Sequence, residues 1–274
     1  MIKENGTILI PFDFSSYSMV GLMNSYNIAQ FTKSKILLIN SIKHNEEVNH
    51  FELQNLCKKI FEDINVKCEY ESVFKEDLLS KILKLSIEFN ASLIIMGLNP
   101  TITFNCIFGF GKYTSFVKKL NCPIITCRST YFNSGCDIIV MPLDLSPESR
   151  EKVNITVQLA KFYDAEVKIV SVFSERKPIL ENHLLPYLHQ VKNLIKKHNI
   201  FCSNISIASE NISSSIIDYA GKHDADLIIQ MNERNTNVIK WLKGNDSMKI
   251  IDSTSIPVLT INPIKRKSIS TGIH

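Results

Sequence analysis

Short apolar runs alternate with longer amphipathic stretches along most of the chain. The runs Ile8–Ile10, Ile36–Ile39 and Leu93–Met96 have the length and composition of buried strands. Between them, apolar residues recur every three or four positions, which is typical of helices. This helical spacing occurs in three sets: Leu53, Leu56, Cys57, Ile60, Phe61 and Ile64; Leu78, Ile82, Leu85 and Phe89; Leu184, Leu188, Val191 and Ile195. The alternation predicts an α/β fold, a parallel sheet with helices on both faces.

The pattern occurs twice. With a constant offset of 131, the segment starting at Thr7 aligns without gaps with the segment starting at Asp137, so that Asp13 corresponds to Asp144. Farther along the offset becomes 134, where NASLIIMG matches DADLIIQM and CPIIT matches IPVLT. We therefore predict two copies of one domain. Their bounds are 1–127 and 137–263, with a linker at 128–136 and a disordered tail at 264–274.

Several helix ends are predicted from local residues. Ser15 and Ser146 are expected N-caps, and Pro147 suits the first helical position. Pro186 is placed near the start of its helix for the same reason. Thr114 and Ser115 are expected to cap a short helix ending near Leu120.

Composition excludes some classes of function. The net charge is +4, with 14 basic against 12 acidic residues in 1–130 and 17 against 15 in 131–274, which gives no electrostatic footprint for nucleic acid. No apolar run approaches a membrane span, and the start lacks the form of a signal peptide. Seven cysteines without CxxC spacing fit reduced thiols. We therefore expect a cytoplasmic protein with no nucleic-acid, membrane or metal partner.

The stretch FGFGKYTS, residues 108–115, concentrates glycine, lysine and hydroxyl groups. It is not a P-loop, because Cys106 stands where the first glycine is needed and Tyr113 stands where the Mg²⁺-binding hydroxyl is needed. In a parallel sheet, ligands bind beyond the carboxyl ends of the strands. Two features are expected there in each copy: a Pro-x-Asp turn, and the loop at 97–113 or 231–245. Each aspartate either bonds a ribose or adenine edge or accepts hydrogen bonds from the next helix.

These motifs carry a resemblance to a family. The starts ILIPFDFS and IIVMPLDLS, the strand ASLIIMG and the closing KKLNCPIIT resemble the universal stress protein family, in its tandem two-domain bacterial cytoplasmic type. The resemblance covers nearly the whole chain. It implies two five-stranded, Rossmann-like domains of the adenine nucleotide alpha hydrolase-like type, packed as an internal pseudo-dimer. As in the family's dimers, the last strands, 123–126 and 257–261, are then expected to pair or pack across the interface between the domains. Further homodimerisation is left open.

Many members of that family bind ATP or AMP. The resemblance implies that they use the first-strand aspartate, a residue at the end of strand two, and a loop of the form Gly-x-x-Gly, nine residues, Gly-Ser/Thr. In domain 1 the corresponding cofactor-binding residues are Pro11, Asp13, Ile39, Gly97, Gly109, Gly111 and Lys112. In domain 2 they are Asp144, Gly244 and Asn245.

Both loops depart from the family pattern. Pro100 and Phe110 replace the second and third glycines of domain 1, and Met231 and Arg234 replace the first two of domain 2. A phosphate loop needs backbone N–H groups at close range, and proline has none. We therefore expect no cofactor and no catalytic residue, and a non-catalytic regulatory or interaction module of the stress response with an unidentified protein partner. The alternative is a sensor that binds ATP or AMP in domain 1, with or without slow ATP hydrolysis.

Two further features of the sequence bear on function: the single tryptophan, and the absence of another kind of pyrophosphate loop. Trp241, the only tryptophan, either covers the cleft of domain 2, anchors a partner or simply packs under its loop. A third class of function, an amide-forming or sulfur-transferring enzyme, would need a Ser-Gly-Gly-x-Asp-Ser pyrophosphate loop. The sequence contains none.

Overall fold

The computed structural model describes residues 1–42, 49–74, 78–103, 107–108, 111–129, 132–144, 146–173, 179–232 and 246–263. The first half contains β1 (Thr7–Phe12), α1 (Ser16–Thr32), β2 (Lys35–Ile42), α2 (His50–Ile64), β3 (Cys68–Phe74), α3 (Leu78–Glu88), β4 (Leu93–Gly97), α4 (Lys112–Lys119) and β5 (Ile124–Cys127). The second half contains β6 (Ile138–Pro142), a 3-10 helix (Pro147–Arg150), α5 (Val153–Tyr163), β7 (Glu166–Phe173), α6 (Ile179–Lys196), β8 (Cys202–Ala208), α7 (Ile212–Lys222), β9 (Leu227–Met231), α8 (Asp246–Ser253) and β10 (Val258–Ile261).

The strands form one sheet of ten in the order β3-β2-β1-β4-β5-β10-β9-β6-β7-β8. Within each half the pairing is parallel, and β5 pairs antiparallel with β10 at the centre. The predicted α/β class and the predicted pairing of the two last strands are therefore confirmed. From the centre of the sheet outwards, the first half runs β5-β4-β1-β2-β3 and the second half runs β10-β9-β6-β7-β8, which is the same order of equivalent strands. The two halves are therefore related by an approximate two-fold axis between β5 and β10.

Side chains also join the two halves. Gln158 of α5 exchanges two hydrogen bonds of 2.8 Å with the backbone of Ile2. Asn262, just after β10, donates to the carbonyl oxygens of Val117 and Leu120 at 2.5 and 2.8 Å. These last two carbonyls belong to the C-terminal end of α4, where carbonyl groups lack partners within the helix. In both cases a side chain of the second half bonds backbone groups of the first half.

Three local expectations are corrected. Pro11 and Phe12 lie inside β1 rather than in a turn. Pro186 lies within α6, whose start is Ile179, because burial of Leu188, Val191 and Ile195 against the sheet stabilises a helix that proline would otherwise delimit. Gly111, at φ +67°, precedes α4 directly, so Thr114 and Ser115 lie within the helix and are not its caps.

The first helix of domain 2 also differs from the expectation. Ser15 caps α1 as predicted, by accepting a hydrogen bond from the Ser18 amide. Ser146 accepts the equivalent bond from Ser149, but it caps the 3-10 helix, and α5 begins only at Val153. The predicted tail at 264–274 lies outside the described residues.

Candidate functional site

β1 and β4 in the first half, and β6 and β9 in the second, stop pairing before their carboxyl ends; the space beyond the last pair is called the cleft of that half. The ladder between β1 and β4 includes only Ile8 and Leu9, although β1 continues to Phe12. The ladder between β6 and β9 likewise includes only Ile139 and Val140. Beyond these residues the neighbouring strands diverge. Such a divergence is the switch point at which open α/β sheets place their ligand sites.

The first-strand aspartate of each domain closes a turn. The carboxylate of Asp13 accepts hydrogen bonds from the amide and hydroxyl of Ser15 at 3.1 and 2.5 Å. Asp144 accepts the same two bonds from Ser146 at 2.9 and 2.5 Å. Each carboxylate therefore holds the chain entering the next helix. Of the two roles considered from sequence, nucleotide contact and hydrogen bonding to the start of the next helix, these bonds correspond to the second.

Two backbone amides at the start of the loop after β4 have partners within the fold. The Leu98 amide donates to the Cys127 carbonyl at 2.9 Å, and the Thr101 amide donates to Asn99 Oδ1 at 2.9 Å. Pro100, between them, has no N–H to donate. A phosphate cradle needs several amides turned towards one point. At these three positions no amide is left over for that purpose.

Arg128 donates hydrogen bonds to carbonyl groups of the same loop. Its Nη2 donates to the carbonyl oxygens of Pro100 and Ile102 at 2.9 and 3.0 Å, and its Nη1 lies 3.3 Å from Asp252 Oδ1. The side chain is only 3% exposed. The loop is thus fixed through its carbonyl groups to an arginine, which in turn contacts α8 of the other domain. The sequence placed Arg128 in the linker and did not identify this role.

Gly97, the first glycine of the implied motif, has a packing role. A Cβ atom there would lie 1.8 Å from the Tyr17 carbonyl oxygen and 3.1 Å from the Gly21 nitrogen. A Cβ on Gly21 would in turn lie 2.8 Å from the Gly97 nitrogen. The two glycines therefore allow α1 to approach the end of β4 closely. This contact alone accounts for glycine at both positions.

Domain 2 replaces both of these glycines. Lys152 stands at the position of Gly21, and Met231 at that of Gly97. Lys152 is 4% exposed, and its Nζ donates to Ser149 Oγ at 3.1 Å. Burial lowers the pKa of Lys152 to about 8, against the opposing attraction of Asp144. These larger side chains occur where the first α-helix of domain 2 begins late: α5 starts at Val153, three positions after the 3-10 helix ends at Arg150.

The cleft of domain 2 is nearly filled. The described residues around Asp144, Lys152 and Met231 enclose about 30 Å³. Ligand sites typically have volumes of roughly 300–1,000 Å³. The remaining space is that of about one water molecule. Gln230 and Ser247, joined by a 3.0 Å hydrogen bond, complete one wall of the cleft.

The other sequence-predicted site residues are dispersed. Pro11 and Ile39 are buried partners in the β1–β2 ladder, and β2 continues to Ile42, so Ile39 is not the last residue of its strand. Gly111 and Lys112 are exposed where α4 begins. Four residues lie outside the described part of the chain: Gly109, Gly244, Asn245 and Trp241.

A larger cavity lies elsewhere, between the domains and under the linker. It has a volume of about 270 Å³, and Asn24, Asn27, Tyr163 and Cys136 contribute to its walls. Asn27 donates to the Ser134 carbonyl at 2.7 Å, which fixes the linker over the opening. Its walls also include Cys127, the last residue of β5, and Leu227, the first residue of β9.

Two further properties concern the described residues as a group. Among them, no cluster of three or more histidine, cysteine, aspartate or glutamate side chains has the arrangement of a metal site. In the same part of the chain, no helix is long and apolar enough to cross a membrane.

Comparisons with known proteins agree with this architecture. Two solved structures align along most of the chain: a universal stress protein from Archaeoglobus fulgidus (17% identity, TM-score 0.73, covering 94% of this chain and 98% of that one) and one from Pseudomonas aeruginosa (16%, 0.72, 94% and 93%). At this identity they show a shared fold. A search among curated proteins gives no match. The model of the universal stress protein family matches residues 136–262. Residues 136–262 therefore form a universal stress protein domain, and the first half of the chain has the same order of equivalent strands.

Proposed function

We propose that this protein is a non-catalytic regulatory module of a stress response, which acts through a protein partner and not through a bound nucleotide. The observation that carries the proposal is that groups needed to bind a ligand, backbone amides in domain 1 and cleft space in domain 2, are occupied by other parts of the fold. In domain 1, the amides of Leu98 and Thr101 have partners within the fold, and Pro100 supplies none. In domain 2, Lys152 and Met231 fill the cleft.

The two aspartates support the same proposal. Asp13 and Asp144 make matching contacts with Ser15 and Ser146 in their turns, although only domain 1 keeps the glycine at the end of its fourth strand. A residue that served a nucleotide in one domain alone would be free to differ in the other. The shared geometry is accounted for by the N-terminal turn of the following helix, which needs an acceptor in both domains.

Thermal unfolding with added nucleotide tests the proposal. We expect the Tm to be unchanged by 1 mM ATP or AMP with Mg²⁺. A ligand bound with a Kd near 10 µM would instead stabilise the fold by about 2.7 kcal/mol at this concentration, since 1 mM is a hundred times that Kd. The matched variants are Asp13→Ala and Asp144→Ala. A Tm increase that Asp13→Ala abolishes and Asp144→Ala retains would overturn the proposal and establish domain 1 as an adenine-nucleotide sensor.

A further inference from the structure

The cavity beneath the linker has a partly apolar wall. Four buried aliphatic side chains, two from α1 and one each from α5 and β5, contribute to it: Val20, Ile28, Leu159 and Ile125. All four belong to one hydrophobic cluster that includes residues of both halves. An apolar cavity of about 150 Å³ binds benzene, so the present volume of about 270 Å³ suits a molecule of about ten non-hydrogen atoms.

Another part of the wall is polar but uncharged. Asn24, Asn27 and Tyr163 contribute to it, and so does Cys136 of the linker. Burial raises the pKa of the Tyr163 phenol, and it raises the pKa of the Cys136 thiol to about 12, so both groups stay protonated at pH 7. Amide and hydroxyl groups donate and accept hydrogen bonds without carrying a charge. This part of the wall therefore suits the polar atoms of a neutral molecule.

Asp226 is the only charged residue among the described residues of the wall. One oxygen of its carboxylate accepts a 2.9 Å hydrogen bond from the Asn133 side chain. The other oxygen accepts hydrogen bonds from the backbone amides of Asp137 and Ile138 at 2.8 and 3.0 Å. An anion would therefore meet no opposite charge in this wall, and a cation would meet only a carboxylate that already accepts three hydrogen bonds. A neutral ligand avoids both costs.

The repeat offers an internal comparison for this cavity. Asn27 of α1 donates to the carbonyl oxygen of Ser134, in the segment before β6. Gln158 of α5, which corresponds to Asn27 at the offset of 131, donates to the carbonyl oxygen of Ile2, in the segment before β1. Each of these two helices therefore holds the segment that precedes the first strand of the other half.

The two segments occupy the space between the halves differently. Ile2 is only 2% exposed, and it belongs to the same hydrophobic cluster as Ile28 and Leu159. Asn133 stands at the corresponding position of the linker, where it is exposed and donates to Asp226. An isoleucine side chain thus packs between the halves on one side of the two-fold axis, whereas the linker places a polar residue at the equivalent position on the other side. This difference accounts for a cavity beneath the linker.

We propose that this cavity binds one small, neutral and largely apolar molecule of about ten non-hydrogen atoms. The apolar part of the ligand packs against Ile125 and Leu159, and its polar atom bonds to an asparagine amide or to the Tyr163 hydroxyl. Removal of the apolar surface from water drives the binding. The proposal does not depend on the clefts or on the function proposed above, because the described walls contain none of the residues implied for nucleotide contact.

Isothermal titration calorimetry of the full-length protein tests the proposal. The probes are indole, which is neutral, and benzoate, an anion with the same number of non-hydrogen atoms. We expect indole to bind once per chain with a Kd of about 0.1 mM, an ordinary affinity for a ligand of this size, and benzoate to give no heat of binding at the same concentrations. The proposal is overturned if indole gives no heat up to about 3 mM, or if benzoate binds as tightly as indole.

Two matched phenylalanine variants locate the bound probe. Ile125 and Leu259 correspond in the repeat and pair in the β5–β10 ladder, but Ile125 lines the cavity, and the two-fold relation puts Leu259 on the side that Ile2 occupies. Ile125→Phe fills the cavity and should weaken indole binding at least about tenfold, whereas Leu259→Phe should leave the Kd unchanged. Val20→Phe fills the cavity from α1 and takes the place of Ile125→Phe if that variant does not fold. Equal Kd values for the cavity-filling variant and for Leu259→Phe would overturn the proposal.

Discussion

Phe31 and Phe162 occupy equivalent positions in the two repeats, and their rings stack on one another with centroids 4.2 Å apart. Ile125 and Leu259 are also equivalent, and they pair directly in the antiparallel β5–β10 ladder. Residues that correspond in sequence meet in space only along a two-fold axis. The tandem chain therefore builds within one molecule the isologous contact that identical subunits make in a dimer.

Stacking of the two phenylalanines predicts a measurable coupling. Phe31→Ala and Phe162→Ala should each lower the free energy of unfolding. The double variant should lose about 0.5–1.5 kcal/mol less than the sum of the two, which is the usual interaction of an aromatic pair. Urea unfolding of the four proteins measures the cycle. Strictly additive losses would show that the rings do not stabilise the interface through each other.

Among the polar residues of the interface, Arg128 should lower the free energy of unfolding most when it is replaced by alanine. It is buried, it donates to two carbonyl oxygens of the strand-four loop, and it pairs with Asp252. Arg128→Ala should therefore lower the free energy of unfolding by about 3 kcal/mol, within the range for breaking a buried ion pair. Asp252→Asn, at a more exposed position, should cost about 1 kcal/mol or less. Equal losses in urea unfolding would contradict this arrangement.

Three glycines should respond differently to alanine. Gly97→Ala places a methyl group against the Tyr17 carbonyl and should cost about 3 kcal/mol or more. Gly111→Ala meets no neighbouring atom, but its φ of +67° should cost about 1 kcal/mol. Gly221→Ala, in open space on α7, should be neutral or stabilising by about 0.5 kcal/mol. Unfolding free energies that do not follow this order would argue against the close approach of α1 to β4.

The buried lysine predicts a pH dependence in domain 2. The pKa of Lys152 is about 8 in the folded protein, against an ordinary value of 10.5, so between these pH values the unfolded chain binds more protons. The free energy of unfolding must therefore rise with pH across this window. Lys152→Met has a similar volume and does not titrate. The wild type should gain on the order of 3 kcal/mol relative to this variant between pH 7 and pH 10.5.

Urea unfolding at several pH values gives that difference. Subtracting the variant removes the contribution of cysteine and tyrosine groups that titrate in the same range. A difference that stays constant with pH would show that Lys152 is solvated and that the cleft of domain 2 is open.

The repeat and the alternation of strands and helices were predictable from sequence, because they depend on apolar patterns and on local residues such as Ser15. The central strand pairing was expected only from the family resemblance. The roles of Arg128 and Lys152 were not. A lysine within an amphipathic segment normally lies in solvent, and only the packing of the segment between β6 and α5 against the sheet buries it. Gly97 was assigned to a ligand loop because spacing alone does not distinguish a glycine that packs from one that binds phosphate. Whether nucleotide binds at Asp13 stays a prediction.

Isothermal titration calorimetry of the wild-type protein with ATP, in the presence of Mg²⁺, tests the central claim most directly. The account predicts no heat of binding up to about 1 mM ATP, a limit that corresponds to a binding free energy weaker than about −4 kcal/mol. Micromolar binding that Asp13→Ala removes would contradict it. That result would mean that the loop after β4 rearranges to expose its amides and that domain 1 is a nucleotide sensor.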